Sequence, residues 1–214
     1  AYNYVGAGTI DGSLQQPSSP ALTEENTNRQ EHSTELRLQD RMQLSAATSL
    51  WAGVRHTRLQ RDSVRTDGSR ATQYSQSFTT PWLALAWQAD EHTMAYTSWG
   101  RGVEAETAPQ LPRYSNAARA LPALESRQFE AGVKHVGDGL EASLAAFSIT
   151  RPQTGDFGTC DGSDGSCTRA NDGSAVHRGL ELSLATKRGA WRWQASALAL
   201  HARRQGSTNA SLNG

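Results

Sequence analysis

Apolar and polar residues alternate along most of this chain. Over residues 43–55 the even positions carry Leu44, Ala46, Thr48, Leu50, Ala52 and Val54, while the odd ones carry Gln43, Ser45, Ala47, Ser49, Trp51, Gly53 and Arg55. A period of two puts successive side chains on opposite faces of a pleated strand, whereas a helix repeats near 3.6 residues. Residues 126–135 repeat the pattern, with Phe129, Ala131, Val133 and His135 against Gln128, Glu130, Gly132 and Lys134. In residues 176–187, Leu180, Leu182 and Leu184 alternate with Gly179, Glu181 and Ser183. Weaker alternation predicts strands over 31–40, 74–88, 93–103, 140–150 and 191–202, and the YNYVGAG string at 2–8 predicts one more.

The connections are of two kinds, and they take turns. Short polar turns are predicted at 40–41, 89–92 (ADEH), 137–139 (GDG) and 188–190 (RGA). Long connections are predicted at 12–28, 59–73, 104–125 and 152–175, with a tail from 205. In an up-and-down antiparallel sheet this alternation sends every tight turn to one edge and every long loop to the other. The fold class is therefore all-β, an antiparallel meander of eight or nine strands. Its strands are about twice the usual globular length. Long strands with one half-polar face, and long loops on one side, match part of a transmembrane β-barrel wall.

Composition changes this picture little. Charges balance at 21 Lys+Arg and 21 Asp+Glu in 214 residues, which removes the basic footprint of a nucleic-acid binder. The mean hydropathy of −0.62 suits a soluble domain, yet a membrane strand needs only about 9–11 residues with every second one apolar. The longest apolar run, at 81–87 (PWLALAW), is too short for a membrane helix of about 20 residues. All six tryptophans fall in predicted strands. Trp87, Trp191 and Trp193 stand near short turns, where an aromatic belt would lie at a membrane interface.

Four strings carry a family resemblance. ESRQFEAGVKH at 125–135, then a GDG turn and LEASLAAFSITRP at 140–152, resembles a wall segment of TonB-dependent outer-membrane receptors. HRGLEL at 177–182 resembles that family's R-G-x-E strand, YTSWGRGV at 96–103 its Y-x-S-[YW]-S-x-G-F segment, and 38–50 its strand pair around Q-D. Their order and spacing agree with the C-terminal part of such a barrel and cover about 31–203. The resemblance implies a fragment: residues 1–214 as a partial barrel domain, lacking the plug, the TonB box and the final strand of a barrel of about 22 strands. It further implies a location in the bacterial outer membrane among its lipids. The parent would be a receptor, not an enzyme, that imports a ferric siderophore with energy from the TonB–ExbB–ExbD complex acting through the plug. Other cargoes, such as cobalamin, a glycan or another metal chelate, fit the same barrel. A soluble β-sandwich adhesin or carbohydrate-binding module is the alternative outside the family.

The resemblance also directs attention to particular residues. Loop arginines suit anionic chelates, since guanidinium forks bind carboxylate and catecholate oxygens. Arg58, Arg61, Arg65 and Arg70 fall in one predicted loop, and Arg101, Arg113 and Arg119 in or beside the next. Trp99 and Tyr114 could stack on a chelate, so Trp99, Arg101, Arg113 and Tyr114 are the candidate ligand contacts. Cys160 and Cys167 flank DGSDGS in an outward loop, where an exported protein favours a disulfide over two free thiols. Asp156, Asp161 and Asp164 lack EF-hand spacing and read as a polar loop. The six histidines are scattered without ligand spacing, so neither a catalytic set nor a metal site is expected. Glu130 and Lys134 share a face about 13 Å apart and are expected to line a polar lumen without pairing.

Overall fold

The computed structural model describes residues 9, 11, 13, 27–162 and 164–214. They form one antiparallel sheet of eight strands in chain order. The strands are β1 (Thr27–Gln43), β2 (Thr48–Arg65), β3 (Thr72–Gln88), β4 (Thr93–Glu104), β5 (Leu124–Gly137), β6 (Leu140–Gly158), β7 (Cys167–Arg188) and β8 (Trp191–Gln205), followed by a 3-10 turn at Ala210–Leu212. The string at 2–8 lies outside the described residues.

Register decides the two faces, because residues paired across strands share a side. One row runs Leu50–Leu85–Thr97–Ala131–Ala146–Leu180. The adjacent row, on the opposite face, runs Trp51–Ala84–Ser98–Glu130–Phe147–Gly179. The first face is apolar but uncovered: Phe129, Leu144 and Leu180 are 52%, 53% and 53% exposed. A soluble sheet of this size would bury such a face against a second layer. Trp87, Trp191 and Trp193 all fall on it at the short-turn edge, and Trp191 stacks on Trp193 with ring centroids 6.2 Å apart.

The polar face uses glycine to seat large rings. Gly53, Gly132 and Gly179 each pair directly with an aromatic residue, Trp82, Tyr96 and Phe147 respectively. A Cβ on Gly53 would stand 2.5 Å from Nε1 of Trp82, and one on Gly179 2.6 Å from Cζ of Phe147. Each ring thus lies across the bare backbone of its neighbour, an arrangement that restores packing where glycine removes it. Tyr96 spans Gly132 to donate its hydroxyl to Oε1 of Glu130 at 2.6 Å, while Nζ of Lys134 stands 5.0 Å from its ring centroid. Glu130 and Lys134 therefore share Tyr96 without touching each other.

Several boundaries differ from those expected. The turn at 40–41 is absent: β1 runs on to Gln43, and residues 44–47 make the turn, closed by Leu44 N–H on the Thr48 carbonyl at 2.9 Å. No Gly, Asp or Asn marks LSAA as a turn, whereas Asp-Arg looks like one. The connections expected at 59–73 and 152–175 are mostly strand, since β2–β3 and β6–β7 extend well past the apolar band. Up there polar residues prevail on both faces apart from a few such as Leu59 and Tyr74, so the period of two loses its contrast. The turn at 89–92 is held by Asp90, whose carboxylate accepts the N–H groups of His92 and Thr93, both at 2.8 Å. The His92 bond first among them keeps that carboxyl below the usual range.

Candidate functional site

The long connection that survives as a loop, residues 105–123, folds back over the polar face. Leu59 and Tyr74 lie on this face by register, and with Leu121, Leu124 and Ala108 they form a small buried cluster at the long-loop end. Gln76 donates to the Leu121 carbonyl at 2.9 Å, and Arg61 to the Ala105 carbonyl at 3.4 Å. The loop is thereby fixed to β2 and β3. It crosses to the other half of the sheet as well. Cys167 donates its N–H to the Arg113 carbonyl at 2.9 Å and accepts that of Ser115 at 2.7 Å, a short parallel bridge at Tyr114.

Side chains reinforce the crossing. Arg169 reaches Glu106 at 3.0 Å and Asp156 at 3.0 Å, and Tyr114 donates to Asp156 at 2.9 Å. Asn116 exchanges two bonds with the backbone of Arg169, at 2.7 and 3.1 Å. Cys167 is fully buried and bonded to Cys160 with an S–S distance of 2.09 Å, which closes the tip of the β6–β7 hairpin where the loop docks. At that tip Asp164 accepts from the hydroxyl and the N–H of Ser166, which hold its carboxyl below the usual range. The long loop is thus a shelf across the polar face, tied to strands on both sides of its own hairpin.

The four candidate ligand contacts separate into two pairs. Arg113 and Tyr114 stand together on the shelf, with the Arg113 guanidinium 5.0 Å from the Tyr114 ring and within 3.2 Å of its hydroxyl. Among the described residues Arg113 has no carboxylate partner, and its Nε is buried without a hydrogen bond. Trp99 and Arg101 fall by register with Phe129 and Arg127 on the apolar side, and Arg101 pairs with Glu125 at 3.3 Å. The β3–β4 ladder ends at Trp82–Gly100 although β3 continues to Thr72, so Arg101 stands at the lip of an opening. There it borders a cavity of about 290 Å³ with Arg37, Arg55, Thr80 and Trp82.

The other arginines expected in loops belong to strands. Arg58, Arg61 and Arg65 are part of β2. Glu31, which no motif or spacing singles out, takes Arg61 at 2.8 Å. Among the inward arginines a carboxylate is the rule: Glu35 serves both Arg37 and Arg55, and Glu104 serves Arg151.

The profile of the family described as "TonB dependent receptor-like, beta-barrel" matches residues 1–214. The chain belongs to the TonB-dependent receptor β-barrel family. Solved structures share the fold of this receptor wall at low identity. The ferric preacinetobactin receptor BauA from Acinetobacter baumannii is 22% identical with a TM-score of 0.70, over 88% of this chain and 27% of that one. The alcaligin outer-membrane receptor FauA from Bordetella pertussis is 17% identical with a TM-score of 0.69, over 85% and 32%. FpvA of P. aeruginosa, solved with heterologous pyoverdines, is 15% identical with a TM-score of 0.69, over 92% and 26%. The chain therefore spans about a quarter to a third of the length of these receptors. The sequence matches no curated protein at a significant level. In a TonB-dependent receptor barrel the apolar face meets lipid and the polar face lines the lumen, which makes the shelf a structure inside the mouth. Family and neighbours are transport receptors, not enzymes.

Proposed function

We propose that this chain is part of the barrel of an outer-membrane receptor that takes up a ferric siderophore, with TonB–ExbB–ExbD supplying energy through a plug domain. The observation that carries the reading is the inward shelf, which holds Arg113 beside Tyr114 with no carboxylate partner among the described residues. Neighbouring shelf and wall arginines are already neutralised: Arg61 by Glu31, Arg151 by Glu104, and Arg169 by Glu106 and Asp156. An anionic chelate entering the mouth meets a guanidinium at Arg113 that is held by neutral partners, the Tyr114 hydroxyl and the Cys160 carbonyl, above the buried Tyr114 ring. Arg101, held by Glu125 at the lip of the opening, borders the arginine-rich cavity and forms a second, weaker contact point, whereas Trp99 beside it lies on the apolar face.

The receptor that carries this chain is expected to quench or shift a fluorescent ferric siderophore at micromolar concentration or below. Arg113→Ala should weaken that binding by about ten- to a hundredfold, the scale of one charge-assisted contact. Cells lacking the receptor should grow more slowly under iron limitation. No binding of any ferric siderophore, with iron-limited growth untouched by deletion, sinks the iron assignment and leaves the other cargoes.

A further inference from the structure

Most polar-face arginines of β1 and β2 share carboxylates, whereas on the apolar face of β4–β8 only Arg101, opposite Arg127, has a carboxylate partner among the described residues. On the polar face, directly opposed Arg37 and Arg55 share Glu35, and Arg29 and Arg61 share Glu31. Such bridging is needed, because like charges directly opposite across strands repel. On the apolar face the register gathers Arg127, Arg178, His201 and Arg203 just beyond the apolar band on β5–β8, on the long-loop side. The row Arg127–Thr150–Val176–Arg203 lies next to the row Phe129–Ser148–Arg178–His201. Arg178 directly opposes His201, and all four basic residues are exposed. None of the three arginines has a carboxylate within reach among the described residues. Glu125, the acid nearest in register on that face, is taken by Arg101.

We propose that this basic patch binds the phosphates of a phosphorylated glycolipid in the outward leaflet, with the acyl chains lying on the apolar band beneath. The inference rests on reading the apolar face as lipid-facing; it is independent of the cargo. The patch has the polarity of such an amphiphile. Its upper two rows offer guanidinium forks suited to phosphate oxygens, interleaved with the hydroxyls of Thr150 and Ser148. The next row on the same face, Ala131–Ala146–Leu180–Ala199, is wholly apolar. From β5 to β8 the patch spans about 15 Å by strand spacing, enough for more than one phosphate. At the opposite rim this face instead carries Trp87, Trp191 and Trp193, so the two interfaces of the wall are chemically distinct.

The test uses the whole receptor in phosphatidylcholine nanodiscs doped with either bisphosphorylated lipid A or its dephosphorylated form, with bound lipid counted by native mass spectrometry. Wild type should retain the phosphorylated lipid strongly over the other. The triple substitution Arg127→Gln, Arg178→Gln, Arg203→Gln should weaken retention by about a hundredfold, from roughly a fivefold loss per arginine. Arg188→Gln, at the short-turn rim, should change nothing. Equal retention of the two lipids by wild type overturns the proposal, and that comparison stands even if the triple variant fails to assemble. Full displacement by millimolar inorganic phosphate also overturns it, by showing an anion site without acyl recognition. A receptor that imports iron but does not distinguish the lipids refutes this inference alone, whereas a chain that does not enter bilayers refutes the membrane reading.

Discussion

The cross-strand ring-on-glycine pairs are the sharpest residue-scale feature of the wall. Gly132 is hemmed by the Leu144 carbonyl, 2.7 Å from where a Cβ would stand, and by the Tyr96 ring at 2.9 Å. Gly132→Ala is therefore expected to push Tyr96 off its seat and break its bond to Glu130. The cost should be about 1–3 kcal/mol, as for other forced overpacking, read as a lower midpoint in denaturant unfolding of the receptor in detergent. Tyr96→Phe keeps the ring and removes the hydroxyl, so it should lose about 1 kcal/mol. A Gly132→Ala variant as stable as wild type would show that the ring does not need the bare backbone. The sequence made Gly132, Glu130 and Lys134 visible as one polar face. It could not show that Tyr96, thirty-odd residues earlier, binds them into a group, because register between strands is not written in either strand alone.

At the scale of elements, the shelf at 105–123 depends on the β6–β7 tip. The Cys160–Cys167 bond closes a short loop, which should contribute about 2–3 kcal/mol to holding that tip together. Reduction, or paired replacement of both cysteines by serine, should loosen Cys167 from Arg113 and Ser115 and expose the shelf. Trypsin cleavage after Arg113 and Arg119, followed by mass spectrometry, should accelerate at least several-fold under reductant while the strands stay intact. Strand existence was legible here, since each apolar band keeps its period of two. The extensions of β2–β3 and β6–β7 were not, because they carry mostly polar residues on both faces and so show little alternation. Nor could composition distinguish a free loop from one folded inward: residues 105–123 are held by backbone and side-chain partners on β2, β3, β6 and β7.

For the whole molecule, the division into a lipid face and a lumen face makes neighbouring positions unequal. Leu182→Arg should cost about 2–4 kcal/mol or block assembly, because a charge is placed in the hydrocarbon. Ser183→Arg, one residue on, faces Ser143 and Ser196 across the ladders and should be tolerated. The heat-dependent gel shift of the assembled barrel reads both, and equal effects would remove the two-faced wall. This division was already legible from Leu180, Leu182 and Leu184 against Glu181 and Ser183. One further consequence concerns how the wall comes apart. The β3–β4 ladder runs only from Trp82 to Gln88, while β6–β7 pairs from Leu140 to Gly158. The sheet is thus stitched unevenly, with a short seam spanned above by the loop's two anchors on Gln76 and Arg61. Pulled from its ends, it should tear along that seam in a single step once the two anchors give way, leaving β1–β3 and β4–β8 as separate ribbons.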